Sequence, residues 1–371
     1  MKDKARRILG KIKDKMGLAA REKEIHTIAV CAAQVPFSRG GAEEHVEALV
    51  RELKARGYEA DLINIPFKWY PHRQLFNSMD LWEALDLSEA DGKKIDMVIA
   101  TKFPSYFVQH PNKVLWLIHQ YRQAYDLVDM PFSGFDLTRP GDARTRERLV
   151  KRDTAALRSY KRIYTNAANT SLRLKRYNNI DSIPLYHPPK LKGRYFHSGF
   201  GDYILSVGRL ERLKRVDLLI KGLAHTDAKI KCKIAGKGPE LENLKNTAHR
   251  YQVADRVEFL GYVTDEELVQ LYANCAFVFF APHDEDYGYI TLEAFLSRKP
   301  VITAFDSGGP LEFVKHNVNG IVLHSLEENH IGQALNTLFF AKDRCKTFGD
   351  RGYETVEPID WDQVIDSLVN G

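Results

Sequence analysis

The sequence predicts an α/β protein built from two successive Rossmann-like domains that face a cleft. Three observations predict it. Short β-branched runs alternate with amphipathic helical patterns from His26 onward, the alternation stops in a Pro- and Gly-containing stretch near residues 184–201, and it restarts at Tyr203. The length of 371 residues exceeds the usual ~100–200 residues of one domain. Apolar residues at 44% and charged residues at 28% supply two ordinary globular cores.

The elements follow in order. The run 27–33 reads as a first strand, and a loop over 34–41 leads into a helix over 42–56 with Val46, Leu49, Val50 and Leu53 on one face. Strands are expected at 59–65, 95–101 and 114–119, then a long charged helix over 142–161 and a strand at 162–165. The Pro-Pro pair at 188–189 and the basic stretch after it read as a linker. Beyond it, strands are expected at 203–207, 230–235, 257–260, 277–280 and 301–304, with helices at 216–224, 240–251, 265–274 and 290–297. Trp361, Val364, Ile365 and Leu368 recur at helical spacing, so the C-terminal segment should dock rather than dangle. The expected division is a tail at 1–24, domains at 25–190 and 191–357, and a closing helix within 358–371.

Charge is unevenly distributed. Residues 1–23 hold nine Lys/Arg against three acids, so of the net +5 the tail carries +6 and the remaining chain −1. A near-neutral body excludes a general nucleic-acid binder. Ile8, Leu9, Ile12 and Met16 recur at helical spacing among those cations, the pattern of a helix on an anionic membrane surface. No apolar run approaches the ~20 residues of a membrane span, and no apolar segment of signal-peptide type follows the basic start. The four cysteines are far apart without a C-x-x-C pair, which fits buried thiols in a reducing cytoplasm.

The densest chemical signal lies between Phe277 and Val314. An apolar strand opens into an acidic loop containing Glu285, Asp286, Tyr287 and Gly288, and the loop opens a helix holding Tyr289, Ile290 and Glu293. Free N–H groups at such a helix start favour a phosphate, and carboxylates at 285 and 293 suit the hydroxyls of a sugar or ribose. A second signal follows the strand 203–207. Gly208 permits close backbone approach, and Arg209 and Lys214 are cations suited to a diphosphate, whereas Arg212 and Arg215 read as solvated. A third strand–turn–helix carries Gly236 and Gly238. In the first half, Gly40, Gly41 and Glu43 follow the first strand, and His119 ends another. Gln120, Tyr121, Arg122 and Asp126 make a polar run fit to line an acceptor site.

These segments resemble the retaining GT-B glycosyltransferases of glycosyltransferase family 4. The resemblance rests on the GG-A-E loop at Gly40, Gly41 and Glu43, G-R-x4-K at Gly208, Arg209 and Lys214, E-x7-E at Glu285 and Glu293 around Gly288, and G-G-x-x-E at Gly308, Gly309 and Glu312. It implies that Arg209 and Lys214 hold the donor diphosphate, Glu285 the sugar hydroxyls and Glu293 the ribose. It places His119 against the transferred sugar and brings the helix around Trp361 back onto the first domain. Asp286 and Tyr287 stand where relatives often have Gly-Phe. The implied activity is retaining transfer of a hexose from a nucleoside diphosphate sugar to a glycan or lipid-linked acceptor, in the cytoplasm or at its membrane face, without metal or other cofactor. Competing readings are a metal-dependent transferase using Asp284-Glu285-Asp286 as a D-x-D pattern, an epimerase or hydrolase of nucleotide-sugars, and a silent nucleotide-sugar binder.

Overall fold

The computed structural model describes residues 25–128, 130 and 133–371; the basic tail and the membrane contact expected of it lie outside the described residues. The first half contains β1 (Thr27–Gln34), α1 (Gly41–Ala55), β2 (Glu59–Pro66), α2 (Arg73–Ala84), β3 (Met97–Lys102), β4 (Lys113–His119), α3 (Pro140–Arg158), β5 (Ile163–Thr165), α4 (Ala168–Asn178) and β6 (Ile183–Pro184). These six strands form one sheet in the order β2-β1-β3-β4-β5-β6, with neighbours paired in parallel, and a small antiparallel ladder of Glu89–Ala90 with Lys93–Lys94 stands apart from it. The second half contains β7 (Tyr203–Val207), α5 (Val216–Leu223), β8 (Lys231–Ala235), α6 (Leu241–Arg250), β9 (Val257–Gly261), α7 (Asp265–Asn274), β10 (Phe277–Phe279), α8 (Tyr289–Leu296), β11 (Val301–Ala304), α9 (Pro310–Phe313) and β12 (Gly320–Leu323). Helices α10 (Glu328–Phe340), α11 (Lys342–Val356) and α12 (Trp361–Val369) complete it. This sheet is also parallel, in the order β9-β8-β7-β10-β11-β12.

Both faces of each sheet are covered, which is why the strands are nearly continuous apolar runs. In β1, Ala29 and Cys31 enter one core while Ile28, Val30 and Ala32 enter the other, the alternation of a pleated strand. All four cysteines are buried free thiols. In each sheet the strand order reverses beside the first strand, between β1 and β3 and between β7 and β10. Ligands bind at the carboxyl ends of strands at such switch points.

Helix α12 packs on the first sheet. Val364, Ile365, Leu368 and Val369 join the core of Ile28 and Val30, and Tyr164 Oη donates to the Ser367 carbonyl at 2.9 Å. Asp360 caps this helix by accepting from the Gln363 N–H at 2.9 Å. The stretch read as a plain linker opens with β6 and carries fully buried His187 and buried Leu191, because it runs between the two halves and is covered by both. Among the described residues no helix is long and apolar enough to cross a membrane.

Candidate functional site

A cavity of about 710 Å³ opens between the carboxyl ends of the two sheets. Gly40, Gly41, Glu43 and His119 line it from the first half, and Gly208, Arg209, Lys214, Glu285, Gly288 and Glu293 from the second. The loop after β7 starts at Gly208, whose φ of 133° is open to glycine alone among common residues. Arg209 then reaches across the gap: a Cβ placed on Gly40 would lie 3.4 Å from its Nε. Its Nη1 is 2.7 Å from Glu211 Oε1, and the side chain stays half exposed. Lys214 Nζ lies 2.5 Å from Glu285 Oε2, with both side chains largely buried. Both cations therefore face the cleft. Gly41 serves the same close approach, since a Cβ there would meet the Tyr289 ring at 3.3 Å.

Helix α8 begins at Gly288, whose φ of 83° turns the loop into the helix. The first N–H groups of any α-helix lack acceptors within it, so those of Tyr289 and Ile290 are available to an anion. One turn further in, a Glu293 carboxylate oxygen accepts from Tyr272 Oη at 2.7 Å. Burial pushes the Glu293 carboxyl up to about 7, and the charge of Glu44 adds to that push. His119 lies at the other side of the cavity. Its Nδ1 is 2.9 Å from the Gln120 carbonyl, which can only accept, so Nδ1 carries the proton. Burial holds its pKa below the usual histidine value despite nearby Asp286.

Asp284 and Asp286 belong to an ion cluster spanning the two halves. Arg173 Nη1 is 2.5 Å from Asp286 Oδ1, and Arg173 Nη2 is 3.1 Å from Asp284 Oδ2. Arg122 Nη2 is 3.0 Å from Asp284 Oδ2 and 2.5 Å from Asp126 Oδ2. Burial works to raise the Asp286 carboxyl, but Arg122 and Arg173 outweigh it and hold it well below the usual carboxylate range. Both aspartates are thus engaged by guanidinium groups.

Several residues take roles other than those expected from the sequence. Arg215 is not solvated: it donates to the Ala281 and Pro282 carbonyls and pairs with Asp306 at 2.6 and 2.8 Å, because the loop after β10 folds over it. Glu43 spends both oxygens locally, one on the Gly40 N–H at 2.9 Å and one on Lys102 Nζ at 2.6 Å. Tyr287 spends its hydroxyl on the backbone of His187. Gly236 and Gly238 lie outside the cavity lining. Their missing side chains let the loop after β8 press on the loop after β7, where a Cβ would come 1.8 Å from the Gly208 oxygen and 2.3 Å from the Leu210 oxygen. Glu312 caps a helix in the other half: its carboxylate accepts the N–H groups of Ala168 and Asn169 at 2.8 Å each.

The sequence reading missed Arg173, Lys102, His45 and His187. His187 packs between His45, Trp116, Tyr289 and Trp361, and Tyr289 Oη is 3.0 Å from its Nε2. His45 follows Glu43 and Glu44 and His187 precedes the Pro188-Pro189 pair, so local sequence carries no signal for that pair.

The chain is similar to known proteins in sequence and in fold. Residues 194–355 match the family described as Glycosyl transferases group 1. An uncharacterized glycosyltransferase of Methanocaldococcus jannaschii is 28% identical over 89% of this chain and 93% of its own length. A GDP-mannose-dependent alpha-(1-6)-phosphatidylinositol monomannoside mannosyltransferase of Mycobacterium tuberculosis is 33% identical over 45% of this chain, a match spanning 46% of that relative. The solved sucrose-phosphate synthase of Thermosynechococcus elongatus superposes with a TM-score of 0.74 at 17% identity, covering 91% of this chain and 96% of that one.

Proposed function

We propose, for a chain that is a glycosyltransferase of the group 1 type with the GT-B fold, that it moves a hexose-type sugar from a nucleoside diphosphate sugar to a glycan or lipid-linked acceptor. The transfer retains anomeric configuration, needs no metal ion and serves cell-surface polysaccharide synthesis. One observation carries the reading: Arg209 and Lys214 both face the cleft, beside Glu285 and the start of α8.

As the anomeric C–O bond breaks, negative charge grows on the departing diphosphate. A guanidinium, an ammonium and helix-start N–H groups already in place stabilise that charge without reorganising. The departing phosphate takes the acceptor's proton on the same face of the sugar, so retention needs no second enzymic carboxylate. Glu285 positions the sugar, and Lys214 orients Glu285. Glu293 receives the ribose hydroxyls, and neutral His119 borders the sugar on the acceptor side. A divalent cation on Asp284 and Asp286 would have to displace Arg122 and Arg173, which favours the metal-independent reading over the D-x-D alternative. On the same reading the basic residues of the tail bring the enzyme to an anionic membrane on its cytoplasmic face.

Thermal shift against common nucleoside diphosphate sugars, GDP-mannose among the first, selects the donor, because a ligand of the folded state raises its melting temperature. NMR of the product then reads the anomer. Retained configuration and undiminished turnover in excess EDTA are expected. An inverted product, or activity lost in EDTA and restored by magnesium, would overturn the reading.

A further inference from the structure

On the reading that this cavity is a glycosyl-transfer site, we infer that the acceptor is an anionic amphiphile whose apolar part leaves the cavity over an aromatic rim of Phe37, Trp69 and Tyr70. The rim is built by the loops after β1 and β2. The Phe67 N–H donates to the Gln34 carbonyl at 2.8 Å, which lays the two loops side by side, and Val35, Ser38, Phe67 and Trp69 line the cavity. An aromatic row runs from the cavity outward. Ring centroids are 5.5 Å apart between Tyr121 and Phe103, 5.8 Å between Phe103 and Phe67, 6.5 Å between Phe67 and Trp69, and 5.2 Å between Trp69 and Tyr70.

The outer end of the row meets water. Tyr70 is 57% exposed, and Phe37, on the adjoining loop after β1 rather than in the row, is fully exposed. Phe37 also has a φ of 63°, a left-handed conformation that bulky side chains rarely adopt. Exposure of the ring and backbone strain are both unfavourable, and an apolar ligand over the ring would offset the first. Positive charge flanks the rim. Lys68 Nζ sits 4.8 Å above the Tyr70 ring, Lys68 and Arg73 are exposed, and among the described residues neither forms an ion pair. Exposed rings can stack on a sugar face as well as cover an alkyl chain, so the choice between them rests on the neighbouring charge. Lys68 and Arg73 beside the rings have no carboxylate partner among the described residues and suit a phosphate, which favours an alkyl chain joined through a phosphate over a neutral sugar chain.

Isothermal titration of the full chain with dodecyl phosphate below its micelle concentration, against ethyl phosphate, tests the assignment. Dodecyl phosphate should bind at least about tenfold more tightly. The double variant Phe37→Ser/Tyr70→Ser should weaken it by roughly tenfold or more while retaining the thermal shift given by nucleoside diphosphates. Trp82 and Trp116 are fully buried and Trp361 packs on Trp116 and His187 away from the rim, so Trp69, between Phe67 and Tyr70, is placed to report the contact. A blue shift of tryptophan emission on binding should vanish in Trp69→Phe while the heat remains. Equal affinity for the two phosphates, unchanged binding in the double variant, or a blue shift surviving Trp69→Phe would each overturn the inference. With nucleotide stabilisation intact, those results sink the rim alone. Absence of any nucleotide stabilisation in the wild type sinks the transferase reading and the acceptor assignment with it.

Discussion

Glu293→Gln should make the ligand-free protein more stable, and by more at alkaline than at acidic pH. The carboxyl sits among the apolar side chains of α8, and burial raises its pKa from 4.5 to about 7. The sign follows from comparing states. Below the unfolded pKa both states hold the proton and nothing is lost. Between the two values the unfolded chain releases a proton that the folded one keeps, so stability falls as pH rises. Above about 7 the penalty is constant. At ~1.4 kcal/mol per unit the full shift amounts to about 3 kcal/mol. Glu293 keeps part of its surface open to the cavity, which discounts the figure to roughly 2–3 kcal/mol. Glutamine removes the penalty and still accepts from Tyr272. Denaturant unfolding of both proteins should show a gap under about 1 kcal/mol near pH 5 that widens to roughly 2–3 kcal/mol near pH 8. If Glu293 receives the ribose hydroxyls as proposed, the same variant should also lose most of its stabilisation by nucleoside diphosphate. A pH-independent gap, or a less stable variant at pH 8, would refute the reasoning.

Two further outcomes follow from the packing. Arg173→Met leaves Asp126, Asp284 and Asp286 facing Arg122 alone, and breaking a buried ion cluster in this way costs about 3–5 kcal/mol. Thermal unfolding should register the loss, and Arg173→Lys should recover only part of it because one ammonium cannot reproduce a forked contact. Gly236→Ala forces a Cβ to within 1.8 Å of the Gly208 oxygen and should prevent soluble expression, whereas Gly57→Ala meets nothing within 4 Å and should lose only the cost of a left-handed alanine, ~1 kcal/mol. Soluble yield and melting temperature of the pair check both.

The parallel strands were legible in the sequence because strands covered on both faces are short apolar runs, and the cleft followed from their interruption and restart. Arg209, Lys214, Glu285 and Glu293 stood out because each sits at a strand-to-helix transition. Other elements were harder to read. Helix α2 begins just after Pro71, and α4 carries few apolar residues, Leu172 and Leu174 among charged and polar neighbours, so neither gives a strong periodicity. Arg215 looked like a surface cation because its partner Asp306 is 91 residues away. Arg173 escaped notice for the same reason, and Glu312, legible as the acid of the G-G-x-x-E segment, gave no sign that it would cap α4. The contacts of Arg173 with Asp284 and Asp286, and of Glu312 with the start of α4, exist only once the halves meet, and local sequence carries no trace of a surface made by two domains.

The most direct test of the central claim is transfer by Arg209→Ala and Lys214→Ala, measured in single turnover at saturating donor with folding verified by circular dichroism. If preorganised positive charge receives the departing diphosphate, each folded variant should lose on the order of 10²–10³ in rate, with Arg209→Ala keeping its melting temperature and Lys214→Ala lowering it, since Glu285 then stands without its cation. Near-wild-type transfer by either folded variant would contradict the account.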